Sequence, residues 1–217
     1  YIRFWTNNVH GTRYFVRHQE MGNSTMRLIR AMKVAFVGLV TIGAVTAYGR
    51  LSADTHYVGA PAAVVDEKGS MRVPSEYQTT YQMLGTWAVA ADGTPGSKEM
   101  HVVYASPGGI VSFRKDGHFA DGTVLVKEVY EAATNEMTTG TVSTAHHLKG
   151  WFVMVKDSVG RYPGNKLWGD GWGWAWFDAS DPLKTTSTDY ATDCQSCHVP
   201  AQASDWIYTN GYPPLRR

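Results

Sequence analysis

The stretch Cys194-Gln195-Ser196-Cys197-His198 constrains this sequence more than any other, and it holds both cysteines of the 217-residue chain. C-x-x-C-H is the attachment signature of a c-type haem. Two thiols, two residues apart, add to the two vinyl groups of a porphyrin, and the histidine that follows lies under the iron as its proximal ligand. No thiol is left for a structural disulfide, so stability has to come from a hydrophobic core and the covalent cofactor. The same spacing also serves structural zinc and dithiol exchange. Zinc would need two more ligands from scattered histidines. A thioredoxin-like dithiol would sit early, near a βαβ unit, and this pair comes late.

Residues 1–25 show no clear periodicity and read as an untranslated or unstructured leader. From Met26 the pattern changes. Met26 to Lys33 is a basic stretch, Val34 to Ala47 is apolar and small, and Val45-Thr46-Ala47 resembles a signal peptidase site. Residues 26–47 therefore read as a secretory signal peptide, with an uncleaved anchor as the alternative. Residues 48–217 become an exported, periplasmic domain, which suits a haem attached outside the bacterial cytoplasm. That domain carries 14 Lys and Arg against 18 Asp and Glu, a net −4 where the whole chain carries +1. The basic excess thus belongs to the leader and signal. No basic patch asks for nucleic acid, and no Gly-rich loop asks for phosphate.

The domain reads as α+β, mainly antiparallel sheet with short helices. Residues 48–70 are rich in Gly, Ala and Pro and suggest an extended lead-in. Pro74 to Tyr77 starts a short helix with Ser75 as its cap. Strands are expected at Met83–Val89, Glu99–Tyr104, Thr123–Tyr130, Gly140–Ala145, Trp151–Val155 and Gly171–Phe177. Turns fall at Asp92 to Gly96 and at Asp121-Gly122. Pro107 to Lys115 is a second short helix, closed by Gly117. Asp189 to Ser204 is expected to be one C-terminal, haem-bearing helix.

No Met follows His198, so the Met ligand that small electron-transfer cytochromes place downstream of the motif is missing. Late motifs are typical of cytochromes c′, but those are four-helix bundles and this chain reads as strands. The segment His118-Phe119-Ala120-Asp121-Gly122-Thr123-Val124-Leu125-Val126-Lys127-Glu128, the strand Glu99–Tyr104 with Pro107 after it, and the tail Trp206-Ile207-Tyr208-Thr209 to Tyr212-Pro213 all point elsewhere. Over residues 68–217 the chain resembles the cytochrome P-460 family, which includes the related cytochrome c′-β. Lys127-Glu128 and the haem motif are the most specific parts of the match. The resemblance implies a single haem c per chain, hydroxylamine oxidation and nitric oxide binding at an open distal site. It also implies that Lys127 can bond through its amine to a porphyrin meso carbon, and it suggests a homodimer.

The residues carry their own reading. Lys127 shares a strand face with Leu125 and Val129, whereas Glu128 shares the other with Val126 and Tyr130. Lys127 is either an edge-strand lysine guarding against aggregation or, with the family match, a desolvated nucleophilic amine beside the haem. His101 stands where the family pattern has Arg. It is a proton acceptor or a satisfied core histidine. His146 and His147 are adjacent, so at most one can face the haem, and a surface turn suits them. Gly171 to Phe177 places three Trp on one strand face and small residues on the other. That arrangement either packs the core or lets a flat ring approach. Asp178, just beyond, is a further proton acceptor.

The expected assignment is therefore a monohaem c-type protein. Cys194 and Cys197 bind the haem, His198 ligates the iron, Lys127 cross-links, and His101 and Asp178 take protons. Electrons pass to a soluble carrier. Two rivals remain: a gas-binding cytochrome of c′-β type, and an electron carrier with Met71, Met83, Met100, Met137, Met154 or a histidine as sixth ligand.

Overall fold

The structure, a computed structural model, describes residues 64–216. The leader, the signal-like stretch and most of the lead-in lie outside the described residues. Among the described residues, no helix is long and apolar enough to cross a membrane.

Helix α1 (Tyr77–Thr80) precedes a six-stranded antiparallel sheet of order β1-β2-β3-β4-β6-β5. Its strands are β1 (Gln82–Ala90), β2 (Ser97–Ala105), β3 (Val124–Met137), β4 (Gly140–Lys156), β5 (Trp168–Gly169) and β6 (Trp172–Asp178). Helix α2 (Gly109–Asp116) crosses from β2 to β3 and ends at Gly117, whose left-handed φ of 82° closes it. The expected strands at Gly140–Ala145 and Trp151–Val155 are one continuous strand, because β3 extends past Tyr130 and pairs with it as far as Met137 and Gly140. The short helix before β1 is not capped by Ser75. Its N-cap is Glu76, with no side-chain cap bond. The lead-in is not extended at its end: Val65 and Met71 bridge across a turn in which Asp66 Oδ1 accepts from the N–H groups of Lys68 and Ser70.

The single C-terminal helix is also corrected. It is three short pieces: α3 (Tyr190–Asp193), α4 (Gln195–His198) and a 3₁₀ turn over Val199–Ser204. Cys194 leaves the helical region at φ −133°. Pro200, at the start of the third piece, has no N–H to continue an α-helical ladder.

Alternation along the strands gives the sheet two buried faces. One carries Val124, Val126, Val153, Val155, Ala175 and Phe177, and it is covered by the N-terminal residues Val64, Val65, Met71, Val73 and Tyr77. The other carries Val103, Ala105, Leu125, Met154, Trp172 and Trp174, and it is covered by α2 and the chain from Cys194 to Leu215. The C-terminal segment comes so close to β1 that a Cβ on Gly85 would sit 2.6 Å from the Gly211 carbonyl oxygen. Glycine is needed there for backbone contact.

A strand buried on both faces is normally an unbroken apolar run, yet β3 carries Lys127-Glu128 at its centre. Glu128 is 2% exposed and faces the N-terminal cover. Its Oε1 accepts from the Tyr77 hydroxyl at 2.5 Å and from the Gln78 amide at 2.6 Å. The Trp151 indole donates to the same Tyr77 oxygen at 2.9 Å. Burial and the carboxylate together push the Tyr77 hydroxyl well above its ordinary pKa, so it stays a donor. Replacing Glu128 by Ala strands these donors in the core. Denaturant titration is expected to find a loss of about 2–4 kcal/mol, with the visible spectrum unchanged because the side chain points away from the opposite face.

Candidate functional site

Between the second face of the sheet and the C-terminal segment lies a cleft of about 660 Å³. Its floor is built from cross-strand rows. One runs Ala105–Leu125–Met154–Trp174 and the next Val103–Lys127–Phe152–Trp176. A third begins Trp87–His101–Val129. The facing wall includes Cys194, Cys197, His198, Ile207, Tyr208 and Tyr212.

The wall is folded tightly before the cysteines. Asp189 caps α3 by accepting from Ala191 N–H, and Asp193 Oδ2 accepts from the N–H groups of Thr188 and Asp189. The break at Cys194 then starts α4, so Cys197 and His198 follow within one further turn. Cys194 is buried and Cys197 exposed, and neither is in a disulfide. Burial, reinforced by Asp193 and Cys197, pushes the Cys194 thiol up to about 11. A thiol held protonated at neutral pH is a poor disulfide-exchange nucleophile. Among the described residues, no three His, Cys, Asp or Glu side chains converge on a point that could hold a metal ion. The described residues thus offer no further ligands for the zinc reading.

His198 is oriented by its other nitrogen. Nδ1 lies 2.7 Å from the Trp206 carbonyl oxygen, to which it donates, leaving Nε2 as the free lone pair. The ring meets the edge of Trp174 at 4.9 Å between centroids. Burial lowers its pKa, partly opposed by the Trp206 bond and assisted by the Lys127 charge. A neutral imidazole with Nε2 free is the form that ligates a metal. The Tyr208 hydroxyl donates to the Cys197 carbonyl and ties down the loop between the cysteines and the tail.

Lys127 faces into the cleft. β3 is an interior strand with β2 and β4 on either side, so the edge-strand reading of this lysine does not apply. Its Nζ lies 4.4 Å above the centre of the Phe152 ring. Burial lowers its pKa, against weaker upward pulls from Cys197, Glu99 and Cys194. A lowered pKa raises the fraction of neutral, nucleophilic amine.

His101 also lines the cleft, and it has a carboxylate partner. Its Nε2 is 3.0 Å from Glu99 Oε2, and Lys149 Nζ is 2.5 Å from Glu99 Oε1. Lys149 is aimed there by a bulge, since it is the extra residue between the pairs Val129–Gly150 and Tyr130–Leu148. Glu99 and Lys149 were missed in the sequence. The alternation Glu99-x-His101-x-Val103 on one strand face would have found Glu99, whereas nothing local marks the bulge.

Other expectations change. Asp178 lies outside the cleft: it is exposed at the end of β6, and its carboxylate accepts from the Trp176 indole at 2.9 Å. Trp172 packs in the core against Phe119, while Trp174 and Trp176 wall the cleft. The flat ring on the small face is the chain's own Trp168, against Gly173. His146 and His147 lie on β4 rather than in a turn. Two residues there oppose Glu131 alone, and the bulge brings their rings within 3.8 Å of each other, exposed and away from the cleft. Of the five candidate methionine ligands, Met154 lines the cleft.

The donor set fits a porphyrin. Two thiols and an imidazole stand on one wall, and a broad, largely aliphatic and aromatic floor lies opposite. Glu99, His101, Lys127 and Lys149 supply the polar groups.

Burial is the first cause of a lowered His101 pKa, and the Glu99 bond opposes it. Because the folded value lies below the ordinary 6.5, the neutral ring's contribution to stability is present above about pH 6.5 and is lost as pH falls through the lowered value. An NMR titration of the imidazole is expected to find its midpoint below 6.5, and lower again in Glu99→Gln. A wild-type midpoint above the ordinary value would contradict this balance.

No curated protein matches the chain. A family model described as Cytochrome P460 matches residues 74–209, from the turn before α1 through the Cys194–His198 wall and past Trp206. The match covers more than half of the sequence and most of the cleft's lining, so the chain belongs to the cytochrome P460 family, whose cofactor is haem.

Proposed function

We propose that this protein is an exported haem c oxidoreductase that oxidises hydroxylamine, binds nitric oxide and passes electrons to a soluble periplasmic carrier. In this reading Cys194 and Cys197 would hold the haem through thioethers, His198 would ligate its iron and Lys127 would be bonded to the ring. The observation that carries it is Lys127, an interior-strand lysine facing the Cys194–His198 wall across the cleft, with Glu99 and His101 two strand positions apart beside it. Export rests on the Met26–Ala47 pattern.

Haem supplies an iron that binds a small nitrogenous ligand and takes electrons from it. The chain's residues do the rest. Phe152, Trp174 and Trp176 present aromatic surface to the cleft. His101 is neutral near pH 7 and takes a proton on whichever ring nitrogen is free, while Glu99 stabilises the imidazolium that results. Lys149 holds the Glu99 carboxylate in place and keeps it ionised: the Lys149 and His101 bonds lower the Glu99 pKa. Met154 lines the same cleft from the sheet floor, beside its cross-strand partner Trp174.

The test compares wild type with Lys127→Ala and Lys127→Arg. Wild type is expected to yield a tryptic peptide joining residue 127 to the haem peptide and a red-shifted ferrous Soret band, and the variants neither. Hydroxylamine turnover should fall about 10- to 100-fold in the variants, while nitric oxide binding persists. A wild-type protein with an ordinary c′-like spectrum and no linked peptide would leave a gas-binding cytochrome without turnover.

A further inference from the structure

Two consecutive residues, Asp205 and Trp206, have left-handed backbones, with φ of 60° and 66°. Asp visits this region on occasion but a bulky Trp does so rarely, and such a two-residue corner persists only where its surroundings over-determine it. Here they do. Asp205 Oδ1 is paired with Lys156 Nζ at 2.5 Å, with the side chains only 9% and 7% exposed. Asp205 Oδ2 accepts from Phe119 N–H at 2.9 Å, and the Asp205 carbonyl accepts from the Trp172 indole at 3.0 Å. Trp206 N–H donates to the Ala201 carbonyl at 3.0 Å. Lys156 itself ends β4 and lies 4.9 Å over the Trp172 ring.

The next polar atom along the chain is the Trp206 carbonyl, which takes the His198 Nδ1 proton. We propose that the buried Lys156–Asp205 pair is the positioning device for His198. It clamps the left-handed corner to the end of the sheet so that the Trp206 carbonyl meets Nδ1 and Nε2 is aimed at the iron. The proposal rests on His198 being the axial ligand. A buried ion pair is weak evidence for stability alone, because its desolvation offsets most of its attraction. A strained corner at the ligand's hydrogen-bond acceptor gives this pair a job that a pair of apolar residues could not do.

A hydrogen bond from Nδ1–H makes the imidazole a stronger electron donor to the metal. Loosening the corner therefore weakens donation and disfavours the ferric state. In the holoprotein, Lys156→Met is expected to lower the iron–histidine stretching frequency of the ferrous form and raise the reduction potential, and Lys156→Arg to restore both towards wild type. Trp172→Phe removes the indole bond to the Asp205 carbonyl and keeps an aromatic ring beside Lys156 and Phe119. It should shift both readouts in the same direction by less, and it decides the matter if Lys156→Met yields no holoprotein. A variant that melts earlier but keeps the wild-type stretch and potential would make the pair merely structural and overturn the proposal. A wild-type ferrous protein with no iron–histidine band would remove the axial role of His198, and the clamp with it.

Discussion

Strand β3 sets the problem that the rest of the molecule solves. It lies inside the sheet and is buried on both faces, yet two adjacent positions carry opposite charges. The two-residue period sends Lys127 to the cleft and Glu128 to the other core. The two cannot pair with each other across the strand, so each face must satisfy its own ion. The N-terminal face does so with Tyr77 and Gln78, brought there because residues 64–81 fold back over the sheet, and with Trp151 of β4, whose indole holds the Tyr77 oxygen. The cleft face offers Lys127 an aromatic ring and the more distant Glu99 carboxylate, with no ion pair among the described residues. One charge is fully housed, and the other is left with a lowered pKa where a large cofactor would contact it.

The C-terminal segment answers the other half of the problem. A wall that carries two thiols and an imidazole must hold them in register with the floor. A long helix would do this through its own ladder, but this chain uses three short pieces and a left-handed corner, and the corner is tied to the body of the fold at Asp205. The ties come from Lys156, Trp172 and the Phe119 backbone, and the Tyr208 bond to the Cys197 carbonyl closes the loop. Rigidity comes from long-range bonds to the sheet, and this explains how such short helical pieces can position a site.

Much of this was legible in the sequence. Strand alternation placed Lys127 and Glu128 on opposite faces, and the Cys194–His198 spacing named the wall. Of the residues on which the resemblance to the P-460 family rests, Glu99, His101, Leu125, Lys127, Tyr208 and Tyr212 line the cleft, while Glu128 serves the other face. What could not be read depended on partners far away in the chain. Whether Lys127 was on an edge depended on strand order. The aim of Lys149 and the pairing of His146 with His147 depended on bulges, which are register events between two strands. Asp178 was misplaced because a residue at a strand's end has no fixed face, and the Trp176 indole claims it. The C-terminal helix looked continuous because periodicity cannot see that Cys194 leaves the helical region. Pro200 was the one local sign of a break.

The central claim is that this cleft holds a haem bound through both Cys194 and Cys197, with His198 beneath it. The pyridine haemochrome spectrum of the purified protein, taken with acid–acetone extraction, tests this most directly, because it reports how many porphyrin vinyl groups have been saturated by thiols. The account predicts the band position of a haem with both vinyls saturated, pigment that stays with the protein, and release of free haem only when both cysteines are replaced by Ala. A band at the position of unmodified protohaem, with haem extracted quantitatively from the wild-type protein, would contradict it.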